Sequence, residues 1–201
     1  MEEYDHEKTN QVTVVGRIAS GFTYDHETYG EKFYSFYIAV KRDSGKQDLL
    51  LAIISERLIN TKDDYTNKYI YICGQYRSYN QHEALKSRLL LYLFVLEAQL
   101  IDESKNVNDV FLEGYICKTP VYRETPLGRQ ITDVLLAVNR AYGKSDHIPC
   151  ICWGRLASYV NTLQVGERIR VAGRIQSREY IKDNETKVAY ELSVNLLEKV
   201  G

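Results

Sequence analysis

Arg168-Ile-Arg-Val-Ala-Gly-Arg-Ile-Gln-Ser-Arg-Glu-Tyr180 alternates with a period of two, the spacing at which successive side chains of an extended chain point to opposite faces. Ile169, Val171, Gly173, Ile175 and Ser177 fall on one side, which reads as a core face. Arg168, Arg170, Ala172, Arg174, Gln176, Arg178 and Tyr180 fall on the other. The segment is therefore expected to be a strand packed on one side and open on the other. Four arginines on one face repel one another unless an anion lies across them. A charge run is usually a solvated face, but no Asp or Glu is interleaved on this one and an aromatic ends it. Cations that track phosphates and flat rings that stack bases, at roughly 1–3 kcal/mol per base, form the surface expected of single-strand binding.

Around this strand, the second half of the chain reads as five strands, at residues 109–117, 131–139, 148–153, 168–178 and 188–198, all rich in β-branched and aromatic residues. Pro126-Leu127-Gly128, Gly143 and Asp183-Asn184 punctuate them as turns. Between the third and fourth strands, Leu156, Tyr159, Val160 and Leu163 recur at helical spacing and Gly166 ends the run, which predicts one short helix. The order β-β-β-α-β-β is that of the OB-fold, a five-stranded barrel that binds oligonucleotides across one face. Trp153 ends the third strand, with Cys150 and Cys152 on the opposite face. A lone tryptophan serves a core or a ligand platform equally well.

The chain repeats this unit. A shift of 98 positions aligns Asn10-Gln-Val-Thr-Val-Val-Gly16 with Asn108-Asp-Val-Phe-Leu-Glu-Gly114, Ile38-Ala-Val-Lys-Arg42 with Leu136-Ala-Val-Asn-Arg140, and Asp48 with Asp146; one more residue aligns Gly74 with Gly173. A unit of about a hundred residues is the size of a small domain. The fold expected is all-β, with one short helix per domain and two five-stranded OB barrels in tandem: residues 1–101, a polar linker at 102–107, and residues 108–201. The first unit repeats the order with a weaker helix at 56–60.

Composition narrows the function. A length of 201 residues with 44% apolar content gives each of two domains a core, and 3 prolines with no low-complexity run imply that nearly all of the chain folds. The longest apolar run, Leu89-Leu-Leu-Tyr-Leu-Phe-Val-Leu96, is far below the roughly 20 residues of a membrane span and reads as a buried strand. The N-terminus has no basic and apolar leader, so the cytoplasm is the expected compartment. Cys73, Cys117, Cys150 and Cys152 include no Cys-x-x-Cys pair, so they read as reduced thiols, with no metal or other cofactor expected. The net charge of -1 hides a local excess: residues 106–182 carry 11 basic and 7 acidic side chains. No phosphate-binding glycine loop or nucleophile elbow occurs and His6, His26, His82 and His147 are scattered, so no enzymatic activity is expected.

The second unit resembles the bacterial single-stranded DNA-binding protein family. The resemblance rests on Asn108-x-Val…Gly114, Thr125-Pro-x-Gly128, Leu136-Ala-Val-Asn-Arg140, Trp153-Gly-Arg-Leu-Ala157 and Gly173-Arg-Ile-Gln-Ser-Arg178-x-Tyr180. It implies base stacking on Tyr142, Trp153 and Tyr180 and a strand path along Arg123, Arg140, Arg155 and Arg178. His147 stands where the family has another aromatic, and Glu124 where it often has tyrosine. Arg168, Arg170 and Arg174 join the candidates from the alternating strand. In the first unit Ser55 replaces the tryptophan and Leu49, Gln81 and Ser44 replace the other positions, so the family's stacking set is absent. Its fourth strand carries Tyr69, Tyr71, Gln75, Arg77 and Tyr79 outward, either to stack bases differently or to pack against another barrel. Lys41, Arg42, Arg57, Arg77 and Tyr79 are the candidate contacts there.

The expected activity is sequence-independent binding of single-stranded DNA in replication, recombination or repair, with RNA also compatible with stacking on π-faces. The alternative is an OB-fold interaction module resembling the primosome's accessory subunit, with weak or no DNA binding; near-zero net charge and the eroded first unit favour it. Four barrels per assembly, as the resemblance implies, would make this chain a homodimer. The family's tail with an acidic tip is not seen after residue 197, so recruitment of partners through a tail is not expected.

Overall fold

The computed structural model describes residues 8–83, 86–182 and 184–201; the acidic start, His6 and Asp183 of the expected turn lie outside them. Contacts divide the chain into two compact units. One is Gln11–Asn108, and the other is Asp109–Gly201 with the described residues that precede Gln11. The first is built from β1 (Asn10–Ile18), β2 (Thr23–Thr28), β3 (Glu31–Lys41), β4 (Gln47–Ser55), β5 (Tyr69–Glu83) and β6 (Lys86–Ile101). The second is built from β7 (Asn108–Ile116), β8 (Val121–Glu124), β9 (Gln130–Asn139), β10 (Ser145–Trp153), the helix α1 (Arg155–Val160), β11 (Arg168–Lys182) and β12 (Glu185–Lys199).

Strand pairing in the second unit runs in a closed circuit: β7 with β9, β9 with β10, β10 with β12, β12 with β11, and β11 back to β7. Only β10 with β12 is parallel. The first unit repeats the circuit through β1, β3, β4, β6 and β5, again with one parallel pair, β4 with β6. These are the two five-stranded OB barrels the sequence implies. Each also has a strand outside its circuit, β2 against β3 and β8 against β9, which extends one sheet edge and was not expected.

Alternation explains the interiors. Val14, Ile38, Ile54, Ile70 and Ile72 fill the first barrel, and Leu112, Ile116, Leu136, Ile148, Ile169 and Leu192 the second, all essentially without solvent contact. Each such side chain contributes roughly 1.5–3 kcal/mol on burial. The apolar run at 89–96 is one-sided rather than wholly buried. Leu93 and Val95 enter the core, Tyr92 and Phe94 face outward half-buried, and Leu96 is exposed. Cys150 and Cys152 are buried, and all four cysteines are free thiols. Burial pushes the Cys152 thiol up to about 12 and raises the Cys150 thiol well above its ordinary value, so both stay protonated.

One expectation needs correction. The helix expected at 56–60 is a turn, in which the Leu58 N–H donates to the Ser55 carbonyl at 3.1 Å and the Arg57 N–H to Ser55 Oγ at 3.1 Å. In α1, Ala157 and Val160 are fully buried and anchor the helix, whereas Leu58 is exposed. The residues that follow Leu58 also capture their own backbone: Asn60 Oδ1 accepts from the Lys62 N–H and Asp64 Oδ1 from the Thr66 N–H, which competes with helix. The end of the polar stretch 102–107 is bonded to the first unit. The Val15 N–H donates to the Val107 carbonyl at 2.9 Å, and Asn106 bonds Asp43.

Glycine is required where strands approach most closely. The β11–β12 register shifts between Ala172 and Gly173, and a Cβ on Gly173 would lie 2.0 Å from the Ser193 carbonyl oxygen. Bulged glycines of this kind let one strand bend across another. Gly74 repeats the device, with a register shift at Cys73/Gly74 and the Phe94 carbonyl oxygen 2.1 Å from a built Cβ. Gly173→Ala is therefore expected to lower the unfolding free energy by at least about 1–3 kcal/mol, the usual cost of overpacking. Urea unfolding followed by circular dichroism measures it, and an unchanged midpoint would show that the strands can part freely.

Candidate nucleic-acid interface

In the second unit, residues paired across β11, β12, β10 and β9 share a face, so register determines which side chains meet. Arg174 lies opposite Ser193, Ser193 beside Ile151, and Ile151 opposite Asp133. Trp153 is two residues beyond Ile151, half-exposed on this outward face, and its Nε1–H donates to Ser193 Oγ at 3.2 Å. Trp153 and Arg174 thus flank one serine. Arg123 on β8 and Trp153 on β10 both lie opposite Ile131, so Arg123 borders the same area. Towards the β11–β12 hairpin the face continues through Arg178 to Tyr180, with the guanidinium 6.0 Å from the ring centre. His147 is exposed on the same face of β10, opposite Ala137.

Other candidates are placed elsewhere. Tyr142 sits in the β9–β10 hairpin with a φ of 61° and is 99% exposed; a non-glycine residue in the left-handed region is uncommon. Arg155 opens α1 and is exposed. Arg140 turns to Asp146, whose side chain is 0% exposed, with Nε to Oδ2 at 3.3 Å.

The open arginine face read from the sequence is not bare. Carboxylates reach it from neighbouring strands, where spacing along β11 alone could not reveal them. Arg168 and Arg170 both bind Glu113 of β7, the latter with Nε to Oε2 at 2.6 Å. Arg178 lies 3.6 Å from Glu191, and Arg123 binds Asp133 at 2.6 Å. Gln176, expected outward, is buried and donates to Glu191 Oε1 at 3.0 Å. Arg174 makes no ion pair among the described residues, and it is the arginine beside Trp153.

In the first unit, Arg42 binds the fully buried Asp48 with Nε to Oδ2 at 2.6 Å, repeating the Arg140–Asp146 pair. Arg57 is 3.3 Å from Glu31, and Lys41 is exposed at the end of β3. Arg77 lies 3.7 Å above the Phe94 ring, and Tyr79 meets Tyr92 edge-on at 6.2 Å. Phe94, Phe33 and Tyr92 were missed as surface residues. The period-two alternation of β3 and β6 carries that signal, which the length of the apolar run obscured. Among the described residues no cluster of His, Cys, Asp or Glu could hold a metal ion, and no helix is long and apolar enough to cross a membrane.

Five-stranded barrels of this circuit are OB-folds. Residues 107–200 match the model of the single-strand binding protein family. A single-stranded DNA-binding protein of Clostridium tetani is 36% identical over 88 residues, covering 40% of this chain and 61% of that one. One from Staphylococcus aureus is 40% identical over 81 residues, covering 37% and 48%. The chain thus spans about half to three-fifths of the length of these curated relatives. Across both units the fold is similar to that of a deletion mutant of the single-stranded DNA binding protein from Thermus aquaticus, with TM-score 0.75, 18% identity, and coverage of 95% of this chain and 94% of that one.

Glu113 ties electrostatics to stability. Its burial pushes the carboxyl up, but hydrogen bonds from Arg170 and Arg168 outweigh this and hold it below its ordinary value of 4.5. A carboxylate with a depressed folded-state value stabilises at pH above its unfolded value, and the gain is lost as pH falls through the folded value. Glu113→Gln is therefore expected to destabilise the protein at pH 7, with the difference from the parent shrinking as pH drops below 4.5. Thermal unfolding at both pH values measures this; an equal deficit at the two would assign Glu113 a role other than charge.

Proposed function

We propose that this protein binds single-stranded DNA without sequence preference, on the outward face of β8 to β12 in the second unit, in replication, recombination or repair. The observation that supports this reading is the pairing of Trp153 and Arg174 across Ser193. An indole face and a cation with no carboxylate partner among the described residues lie side by side on an open sheet, where one can stack a base and the other meet its phosphate. Tyr180 and His147 extend the stacking surface, Arg123 and Arg178 border it, and Tyr142 and Arg155 stand at its margins. Arg140, Arg168 and Arg170 act mainly in holding the barrel, because their charges meet Asp146 and Glu113.

Binding of oligo(dT) is expected to exceed binding of duplex, to weaken as salt rises, and to quench the fluorescence of Trp153, the sole tryptophan. Trp153→Ala and Tyr180→Ala should each reduce affinity about five-fold to a hundredfold, from roughly 1–3 kcal/mol per stacked base. Arg174→Ala should lower the slope of log affinity against log salt by about 0.7, the loss of one phosphate contact to a single strand. Arg168→Ala should leave that slope unchanged. A second reading, an OB-fold interaction module with weak or no DNA binding, is favoured by the carboxylates that already match five of the second unit's arginines; a titration with neither quenching nor salt dependence would establish it. Light scattering on the same samples reads the proposed homodimer of four barrels.

A further inference from the structure

We propose that the first unit carries its own base-stacking surface, a ladder of π-faces formed by His26, Phe33, Phe94 and Arg77, which takes the unpaired bases of single-stranded nucleic acid. The proposal shares its ligand class with the function above and rests on that reading. The ladder crosses the outward side of the sheet from β2 to β5. His26 is stacked on Phe33 with centroids 4.8 Å apart and planes within 8°, Phe33 meets Phe94 at 5.8 Å, and the Arg77 guanidinium caps Phe94 at 3.7 Å. Gln75 Oε1 accepts from both Nε and Nη2 of Arg77, at 3.0 and 2.7 Å, which holds the guanidinium in place over the ring.

None of these rings serves the interior. On β3 the core residues are Phe36 and Ile38, and on β6 they are Leu93 and Val95, while Phe33 and Phe94 lie on the solvent side of the same strands. The solvated side of an antiparallel sheet is ordinarily polar, so a row of aromatic faces there marks a binding surface.

The duplication explains how the row arose. Trp153 on β10 corresponds to Ser55 on β4, and Ser193 on β12 corresponds to Phe94 on β6. The aromatic and the serine have exchanged strands between the two units. Ser55 lies opposite Phe33 and is buried, and its small side chain lets Phe33 and Phe94 meet across β4. The first unit therefore lost the tryptophan position but kept a stacking platform one strand away. Planar rings, an imidazole and a flat cation in one row match nucleobases, which offer π-faces to stack and phosphates to the cation. An aliphatic protein partner would gain little from the charged and polar members.

A reporter placed on the ladder tests this in the full chain. In a Trp153→Phe background, Phe94→Trp puts the sole indole in the first unit, and oligo(dT) is expected to quench it saturably, with the effect reversed by salt. Unchanged emission, while Trp153 in the parent is quenched normally, would overturn the ladder and leave the second-unit site standing. Silence of both indoles would overturn both. Emission that follows protein concentration rather than oligo(dT) would mean that another copy covers the ladder, which also overturns it. Independently, His26→Ala with Arg77→Ala, added to Trp153→Ala and Tyr180→Ala, should weaken residual binding of labelled oligo(dT) a further five- to hundredfold; no further loss would count against the ladder.

Discussion

Each unit depends on a glycine that has no room for a side chain. Gly74 and Gly173 let β5 and β11 bend against β6 and β12, and the carbonyls they approach belong to Phe94 and Ser193. Those two residues are also the ones whose side chains distinguish the outward faces of the two units. The bulge that closes the barrel thus sits at the position that defines the stacking surface, so the face changes character when one side chain is exchanged there while the closure is kept. This separation of backbone constraint from side-chain identity is what lets a duplicated barrel diverge without unfolding.

A second repeated device fixes the hairpins. Arg42 with Asp48 and Arg140 with Asp146 join the ends of β3–β4 and of β9–β10, and both aspartates are completely buried. Buried ion pairs recover their desolvation cost only with good geometry, and breaking one leaves a buried charge. Arginine at this position therefore answers to the fold before it answers to a ligand. The hairpin it secures is the one that projects Tyr142 into solvent with a left-handed backbone, at a cost accepted where the surroundings determine it.

The alternation of residues 168–180, the duplication and the helix after Trp153 were legible because they are properties of spacing along one strand or helix. The carboxylates that meet the arginines were not, since Glu113 and Glu191 lie more than ten residues away and arrive only through register. The turn at 56–60 does not repeat the helix of the second unit because Leu58 has no interior to enter. Phe94 was hidden by the expectation that an apolar run is buried on both sides, although Leu93 and Val95 alone fill the core from that stretch.

The charge balance of the whole chain, -1, is the sum of these pairings and not an argument against a polyanionic ligand. Glu113, Glu191 and Asp133 neutralise arginines that would otherwise repel one another on a crowded face, while Arg174 is left beside Trp153. Under the proposed function, such a surface would draw its affinity from flat faces more than from counterion release. The outward faces of the two units combine flat groups and cations through different residues, an indole flanked by a cation in one and a ladder capped by a guanidinium in the other.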